Sequence, residues 1–259
     1  MSTQPHDLAP DAVLAVLREA AFAVKDALGH LTDWGLAGTR EGQYRSDLVA
    51  DAAALSVITS AGLGAFSEES GLHHPEASIR VVLDPVDGST NASRGLPWWA
   101  TSLCAVDAQG PYVAVVVNQA TGQHFEAVRG GGATCDGKEI SPSGCRVMSE
   151  AIVAVSGYPE FHLGWSQFRS LGAAALDICA VACGSLDVFV DFAAQSLAPW
   201  DYLGGMLVCV EAGAHVGEAD GLDLVVRSGF ERRTFVAAAS RELRDEAVEL
   251  RRRAGRERG

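Results

Sequence analysis

The segment Ile79-Arg80-Val81-Val82-Leu83, followed by Asp84-Pro85-Val86-Asp87-Gly88-Ser89-Thr90-Asn91, constrains this chain more than any other. Val81, Val82 and Leu83 read as a buried strand, so Asp84 is expected where a strand ends and a loop begins. Pro85 stiffens that turn, and Gly88 gives the backbone room to approach a ligand closely. Two carboxylates three residues apart, followed by small residues with free N–H groups, suit a divalent cation and a phosphate held side by side. An Asp-rich turn that merely caps the next helix has the same composition, because Asp, Gly, Ser and Asn all favour turns.

The rest of the chain alternates helical and strand patterns. Asp11 to His30 places Val13, Val16, Leu17, Ala20, Val24 and Leu28 at helical spacing. Thr32 to Ser46 reads as a glycine-rich exposed loop, and Asp47 to Ser60 as a second helix. Ala65-Phe66 is a short strand leading into Ser67-Glu68-Glu69-Ser70. Thr101–Val106, Tyr112–Val117 and His124–Val128 form an antiparallel meander with turns at Gln109-Gly110 and Ala120-Thr121-Gly122. Further on come a strand at Ala151–Ser156, a helix at Ala173–Cys183 and a strand at Asp187–Phe192. A helix at Pro199–Ala212 stopped by Gly213, a strand at Phe235–Ala239 and a charged helix at Glu242–Arg253 complete the chain. The pattern predicts an α/β (α+β) protein, a layered αβαβα sandwich with an antiparallel sheet in the N-terminal half and a mixed sheet in the C-terminal half. The halves are 1–146 and 147–259, tightly packed and without a linker. Trp98 and Trp99 read either as interface or pocket residues or, as adjacent aromatics more often do, as core residues packed on opposite faces where a strand begins.

A formal net charge of −13 argues against nucleic acid and anionic membranes as partners. It is compatible with an anionic substrate only where bound cations reverse the local sign. No apolar stretch approaches the ~18 residues of a membrane span. The start MSTQPHDLAP lacks the basic and apolar regions of a signal peptide, so a cytoplasmic protein is expected. Cys104, Cys135, Cys145, Cys179, Cys183 and Cys209 show no zinc-type pairs and read as free thiols.

Other acids occupy informative places. Glu68 follows a short strand, as Asp84 does. Glu69, its neighbour, would point the opposite way toward solvent if strand geometry persisted. Asp201 opens an apolar helix behind Pro199-Trp200, beside free N–H groups, where it is either a ligand or a dipole-compensating carboxylate. Asp51 lies in the apolar stretch Leu48-Val49-Ala50-Asp51-Ala52-Ala53-Ala54, either paired and buried or facing solvent.

Glu68-Glu69, the Asp84–Asn91 motif and Trp200-Asp201, in this order and spacing, resemble the inositol monophosphatase-like superfamily of metal-dependent phosphomonoesterases. The resemblance spans roughly Asp11 to Ala239. It includes Gly130–Gly137, Arg169–Asp177 and the run from Trp200-Asp201 to Glu211-Ala212-Gly213. It implies two to three Mg²⁺ per active site: a first on Glu68, Asp84 and the Val86 carbonyl, a second on Asp84, Asp87 and Asp201, and a third on Glu68 with waters. Most of these ligands lie in the first half, with Asp201 and the substrate pocket in the second. The Gly88 and Ser89 amides would cradle the phosphate of a small phosphorylated substrate. Gly172, Ala173, Ala174 and Asp191, with Asp201, would shape its pocket. Glu68, Ser89 and Asp51 would act on the attacking water, and attack would be direct and in line.

The chain also departs from that pattern. Around Asp51 a Thr and one residue of the family's motif are missing, which makes Asp47 a competing register. The Lys of the family's lid loop is absent, leaving Arg40 or Arg45 as substitutes. Ser89 replaces a Thr, and the Asp191 position holds Glu in inositol-selective members. The segment Phe192–Ala198 is longer by about three residues. The resemblance implies a sugar or polyol phosphatase, an inositol monophosphate first, with histidinol phosphate and fructose 1,6-bisphosphate as alternatives, and a homodimer. A non-catalytic relative that binds phosphate or a partner is the reading from another class.

Overall fold

A computed structural model describes residues 8–159, 162–193, 195–225 and 231–256. Helices α1 (Pro10–Gly29) and α2 (Arg45–Ser60) pack side by side. The first sheet then forms from β1 (Gly64–Ser67), β2 (Gly71–His73) and β3 (Arg80–Asp87). A short helical turn α3 (Ser89–Ser93) precedes the meander β4 (Ala100–Asp107), β5 (Gly110–Asn118), β6 (His124–Val128), β7 (Gly132–Cys135) and β8 (Lys138–Glu139). Sheet order is β2-β1-β3-β4-β5-β6-β7-β8. All neighbours are antiparallel except β1 and β3. The β2 hairpin reverses the chain along the outer edge of β1, so β3 arrives on the other side in the direction of β1.

The second sheet is assembled from β9 (Ile152–Ser156), β10 (Gln167–Arg169), β11 (Val188–Asp191), β12 (His215–Glu218) and β13 (Phe235–Ala238), in the order β10-β9-β11-β13-β12. It is mixed, parallel on the β10-β9-β11 side and antiparallel on the other. Helices α4 (Ala174–Ala182) and α5 (Pro199–Ala212) lie between the two sheets, and α6 (Arg241–Arg256) covers the outer face of the second. The layers are therefore α, β, α, β, α, as the sequence pattern predicts.

Each interlayer gap holds its own apolar cluster. Val13, Leu17, Val24, Ile58, Val81 and Leu83 join α1 and α2 to the first sheet. Val82, Val116, Ile178, Leu203, Phe189 and Phe235 fill the space between the sheets, so the central helices pack against both. Val153, Val190, Val236 and Leu243 seat α6. Trp98 packs on the central cluster and Trp99 on the outer one, the opposite faces expected of them. The α5 limits coincide with its sequence signals, Pro199 at the start and Gly213 at φ 88 just beyond the end. All six cysteines are free, three of them buried. No described helix is long and apolar enough to cross a membrane.

Two sequence expectations need correction. Asp84 does not end a strand, because β3 continues to Asp87. Pairing runs Asp84↔Ser102 and then Asp87↔Ala100, so β3 carries one extra residue there. In a regular strand Asp84 and Asp87 would face opposite sides; the bulge restores a common side. Glu69 is not solvent-facing: its side chain is 5% exposed. The chain leaves the strand at Ser67 and turns, so the alternation on which that expectation rested does not extend to Glu69. Strands β2, β7, β8, β10 and β12 carry too little periodicity to be read from sequence.

Candidate active site

Parallel pairing of β1 with β3 builds the first part of the site. Ser67 lies opposite Leu83, and the Glu68 N–H donates to the Leu83 carbonyl at 3.1 Å, which sets Glu68 beside Asp84. The α5 N-terminus meets the same end of the sheet. Ser102, paired with Asp84, donates its hydroxyl to the Trp200 carbonyl at 3.2 Å, next to Asp201. Gly204 permits this approach: a Cβ there would lie 2.9 Å from Ser102 Oγ. Phe66 and Trp200 meet edge to face at 5.3 Å.

Carboxylate oxygens of Glu68, Asp84 and Asp201 consequently lie within 4.8 Å of one another. One Asp84 oxygen accepts the Val86 N–H at 2.9 Å, and Asp201 Oδ2 accepts the Ala198 N–H at 2.6 Å. Asp201 is thus both a helix cap and a member of the cluster. Asp87 Oδ2 accepts the Ala175 N–H at 2.7 Å, tying the motif to the first turn of α4. Burial, reinforced by neighbouring like charges, holds the carboxyls of Asp84 and Asp201 well above the ordinary range. Burial pushes Asp87 up to about 8 and raises Glu68 as well. Buried acids packed this closely cannot all ionise without a compensating cation. The donor set is oxygen throughout, which fits a hard divalent cation such as Mg²⁺.

Above the cluster opens a cavity of about 430 Å³ lined by Arg40, Glu41, Gly42, Gln43, Asp47, Glu68, Glu69, Val86, Ser89, Trp200 and Arg232. Loop residues close one wall. Arg40 Nη2 bonds Glu69 Oε2 at 2.8 Å, and Gln43 donates to the same oxygen. Arg45 pairs instead with Asp33, away from the cavity. Tyr44 anchors the loop to the motif through Thr90, hydroxyl to hydroxyl at 3.3 Å.

Gly88 makes the turn into α3 at φ 85, where a Cβ would lie 3.0 Å from the Gly172 carbonyl oxygen and 3.1 Å from Ala173 Cβ. Gly172 and Ala173 therefore pack directly against the motif at Gly88. Asn91 ties the motif to the segment before α4, its amide donating to the carbonyls of Trp98 and Leu171, both at 2.7 Å. The two candidate acids of α2 separate. Asp47 lines the cavity, its oxygens engaged by the Tyr44 N–H at 2.8 Å and the Ser46 hydroxyl at 3.1 Å. Burial raises its carboxyl to about 6, with Glu69 and Glu68 adding to the effect. Asp51 is buried away from the lining and accepts the Ser67 hydroxyl at 2.5 Å. Asp191 is fully buried, holding the Ala193 N–H at 3.0 Å and the Ser196 hydroxyl at 2.8 Å, and is also absent from the lining. Within the long segment that follows it, Ala194 lies outside the described residues.

Residues 43–256 match the model of the inositol monophosphatase family. The chain belongs to that family. It is 30% identical over 248 residues to the fructose-1,6-bisphosphatase/inositol-1-monophosphatase of Archaeoglobus fulgidus, covering 92% of this chain and 97% of that protein. It is 33% identical over 171 residues to the Nus factor SuhB of Escherichia coli, covering 60% and 62% of the two. Among solved structures, a Pyrococcus horikoshii protein described as having similarities to inositol-1 monophosphatase superposes with a TM-score of 0.78 at 25% identity. That match covers 93% of this chain and 96% of the other. The protein is a phosphatase of this metal-dependent family, and its acidic cluster can hold a metal ion.

Sequence reasoning missed Arg232 and Gln43 as cavity residues. Arg232 stands in Glu231-Arg232-Arg233, far in the chain from the acidic motif, and only the fold brings it to the cavity.

Proposed function

We propose that the protein is a Mg²⁺-dependent phosphomonoesterase that hydrolyses a small sugar or polyol phosphate, with an inositol monophosphate the first candidate. The observation that carries this reading is the convergence of Glu68, Asp84 and Asp201 beneath a cavity walled by Ser89. Glu68, Asp84, Asp87, Asp201 and the Val86 carbonyl would hold two to three ions. When bound, such ions polarise phosphoryl oxygens, lower the pKa of a water and screen charge on the leaving oxygen. The N–H groups opening α3, which have no intrahelical acceptors, face the phosphate from Gly88 and Ser89. The Ser89 hydroxyl orients the attacking water. Asp47, on the same cavity wall and with its carboxyl near 6, takes the proton. Asp51, engaged by Ser67, is the competing carboxylate. Asp191 acts on substrate choice indirectly, by shaping the loop it holds.

Histidinol phosphate and fructose 1,6-bisphosphate are the alternatives within the same chemistry; the Archaeoglobus relative is named for two of these activities. The intact carboxylate set disfavours a purely non-catalytic role, although one relative is named a Nus factor. A homodimeric, cytoplasmic enzyme completes the proposal. The test is phosphate release with and without Mg²⁺ across inositol 1-phosphate, histidinol phosphate, fructose 1,6-bisphosphate and 3′-phosphoadenosine 5′-phosphate. Mg²⁺-dependent release with one favoured ester supports the reading; no release from the folded protein refutes it.

A further inference from the structure

Two cations line the cavity, and their circumstances differ. Arg40 is engaged internally, by the Glu69 carboxylate at 2.8 Å and the Glu68 carbonyl at 3.4 Å. Arg232 is exposed, and its Nη1 donates to the Ser196 carbonyl. A neutral carbonyl orients a guanidinium without cancelling its charge, and most of the fork of five N–H donors stays available to a carboxylate or phosphate. The anchoring is firm. Arg233 beside it is buried, its Nε donating to the Asp223 carbonyl at 2.7 Å and its N–H to the Leu197 carbonyl at 2.8 Å. The backbone carrying Arg232 is thereby fastened to the segment that leads directly into α5 and Asp201.

We propose that Arg232 forms a second anion subsite in the cavity, on the wall contributed by the C-terminal half, while Ser89 lies on the wall from the N-terminal half. The phosphatase would then favour phosphomonoesters that carry a second phosphate or carboxylate, which moves fructose 1,6-bisphosphate ahead of an inositol monophosphate among its candidate substrates. This rests on reading the cavity as a phosphomonoesterase site. A strongly acidic protein repels the second charge of such a substrate, and the carboxylate cluster can recruit cations only for the phosphate that lies over it. Arg232 supplies the missing positive charge where the rest of the substrate projects. The competing explanation is that Arg232 only offsets Glu68 and Asp201, whose ionised forms it favours. That role would affect every substrate alike.

Fructose 1,6-bisphosphate and fructose 1-phosphate separate the two, since they share the sugar and the ester at C1 and differ only in the second phosphate. Steady-state kinetics and calorimetric affinities are measured for both with the wild type, Arg232→Gln and Arg232→Lys, each loaded with Mg²⁺. Loss of a charge-assisted contact predicts that Arg232→Gln lowers kcat/KM for the bisphosphate ~10- to 100-fold, chiefly through KM, and changes the monophosphate by less than ~3-fold. Arg232→Lys should retain part of the preference. Equal losses on both esters, or a wild type with no preference for the bisphosphate, overturn the subsite. If neither ester is hydrolysed, the phosphomonoesterase reading fails on its own, and calorimetry decides the subsite. A bisphosphate preference that Arg232→Gln abolishes upholds it, and one that survives the substitution overturns it.

Discussion

Asp177→Asn isolates the cost of one buried carboxyl where α4 meets the segment before β4. Asp177 is 2% exposed in the first turn of α4, and its Oδ1 accepts the indole N–H of Trp98 at 2.8 Å. Desolvation raises its pKa from 3.8 to about 7, with the indole bond pulling the other way. The folded chain therefore binds this proton more tightly than the unfolded chain does. Its contribution to stability is fully present below about pH 4 and is lost as pH rises to about 7. About three units at about 1.4 kcal/mol each amount to about 4 kcal/mol, of which about 2 to 3 falls between pH 5 and 8. Asparagine keeps an acceptor for Trp98 and cannot ionise. In EDTA, the variant should gain on the wild type by that amount between pH 5 and 8, roughly 5 to 10 °C in Tm. Thermal unfolding of both proteins at four or five pH values measures it. A difference that stays constant with pH would show that Asp177 is not a buried, uncompensated acid.

Asp84→Asn should abolish turnover while the protein remains folded. Without metal it should be at least as stable as the wild type at pH 8, because one like charge has left the cluster; retained phosphate release sinks the ligand assignment. Asp47→Asn is expected to lower kcat by ~100-fold or more and to remove the rise of kcat/KM through about pH 6. Asp51→Ala should instead cost mainly stability, about 1 to 3 kcal/mol, by leaving the Ser67 hydroxyl without its buried acceptor; a reversed pattern in the pH–rate profiles would return the role to Asp51. Gly88→Ala must hold φ near 85 with a Cβ 3.0 Å from the Gly172 oxygen. A loss of about 1 to 3 kcal/mol in denaturant unfolding is the expected cost, and an unchanged midpoint contradicts the strained turn.

Periodicity and capping chemistry act within one or two turns of chain, which is why the order of the layers and the ends of α5 are legible in the sequence alone. The acidic motif was equally visible, since Asp84, Asp87 and Gly88 are adjacent in sequence and their chemistry is intrinsic. Where those groups point was not visible. The shared side of Asp84 and Asp87 depends on a bulge against β4, and the meeting of Glu68 with Asp84 on parallel pairing of β1 and β3. Neither leaves a trace in local composition. Glu69, Asp47 and Asp51 illustrate the same limit. Their residue types suggested acids in a site, but loop closure by Arg40 and Gln43 and the Ser67 hydroxyl decided which carboxylates face the cavity and which are engaged elsewhere. Arg232 lies 164 residues from Glu68 in the chain, yet both line one cavity. Composition and pattern select the elements because each residue's propensity is local; the direction of a side chain at a cavity is set by register and packing between segments far apart in sequence, and only the folded chain brings those together.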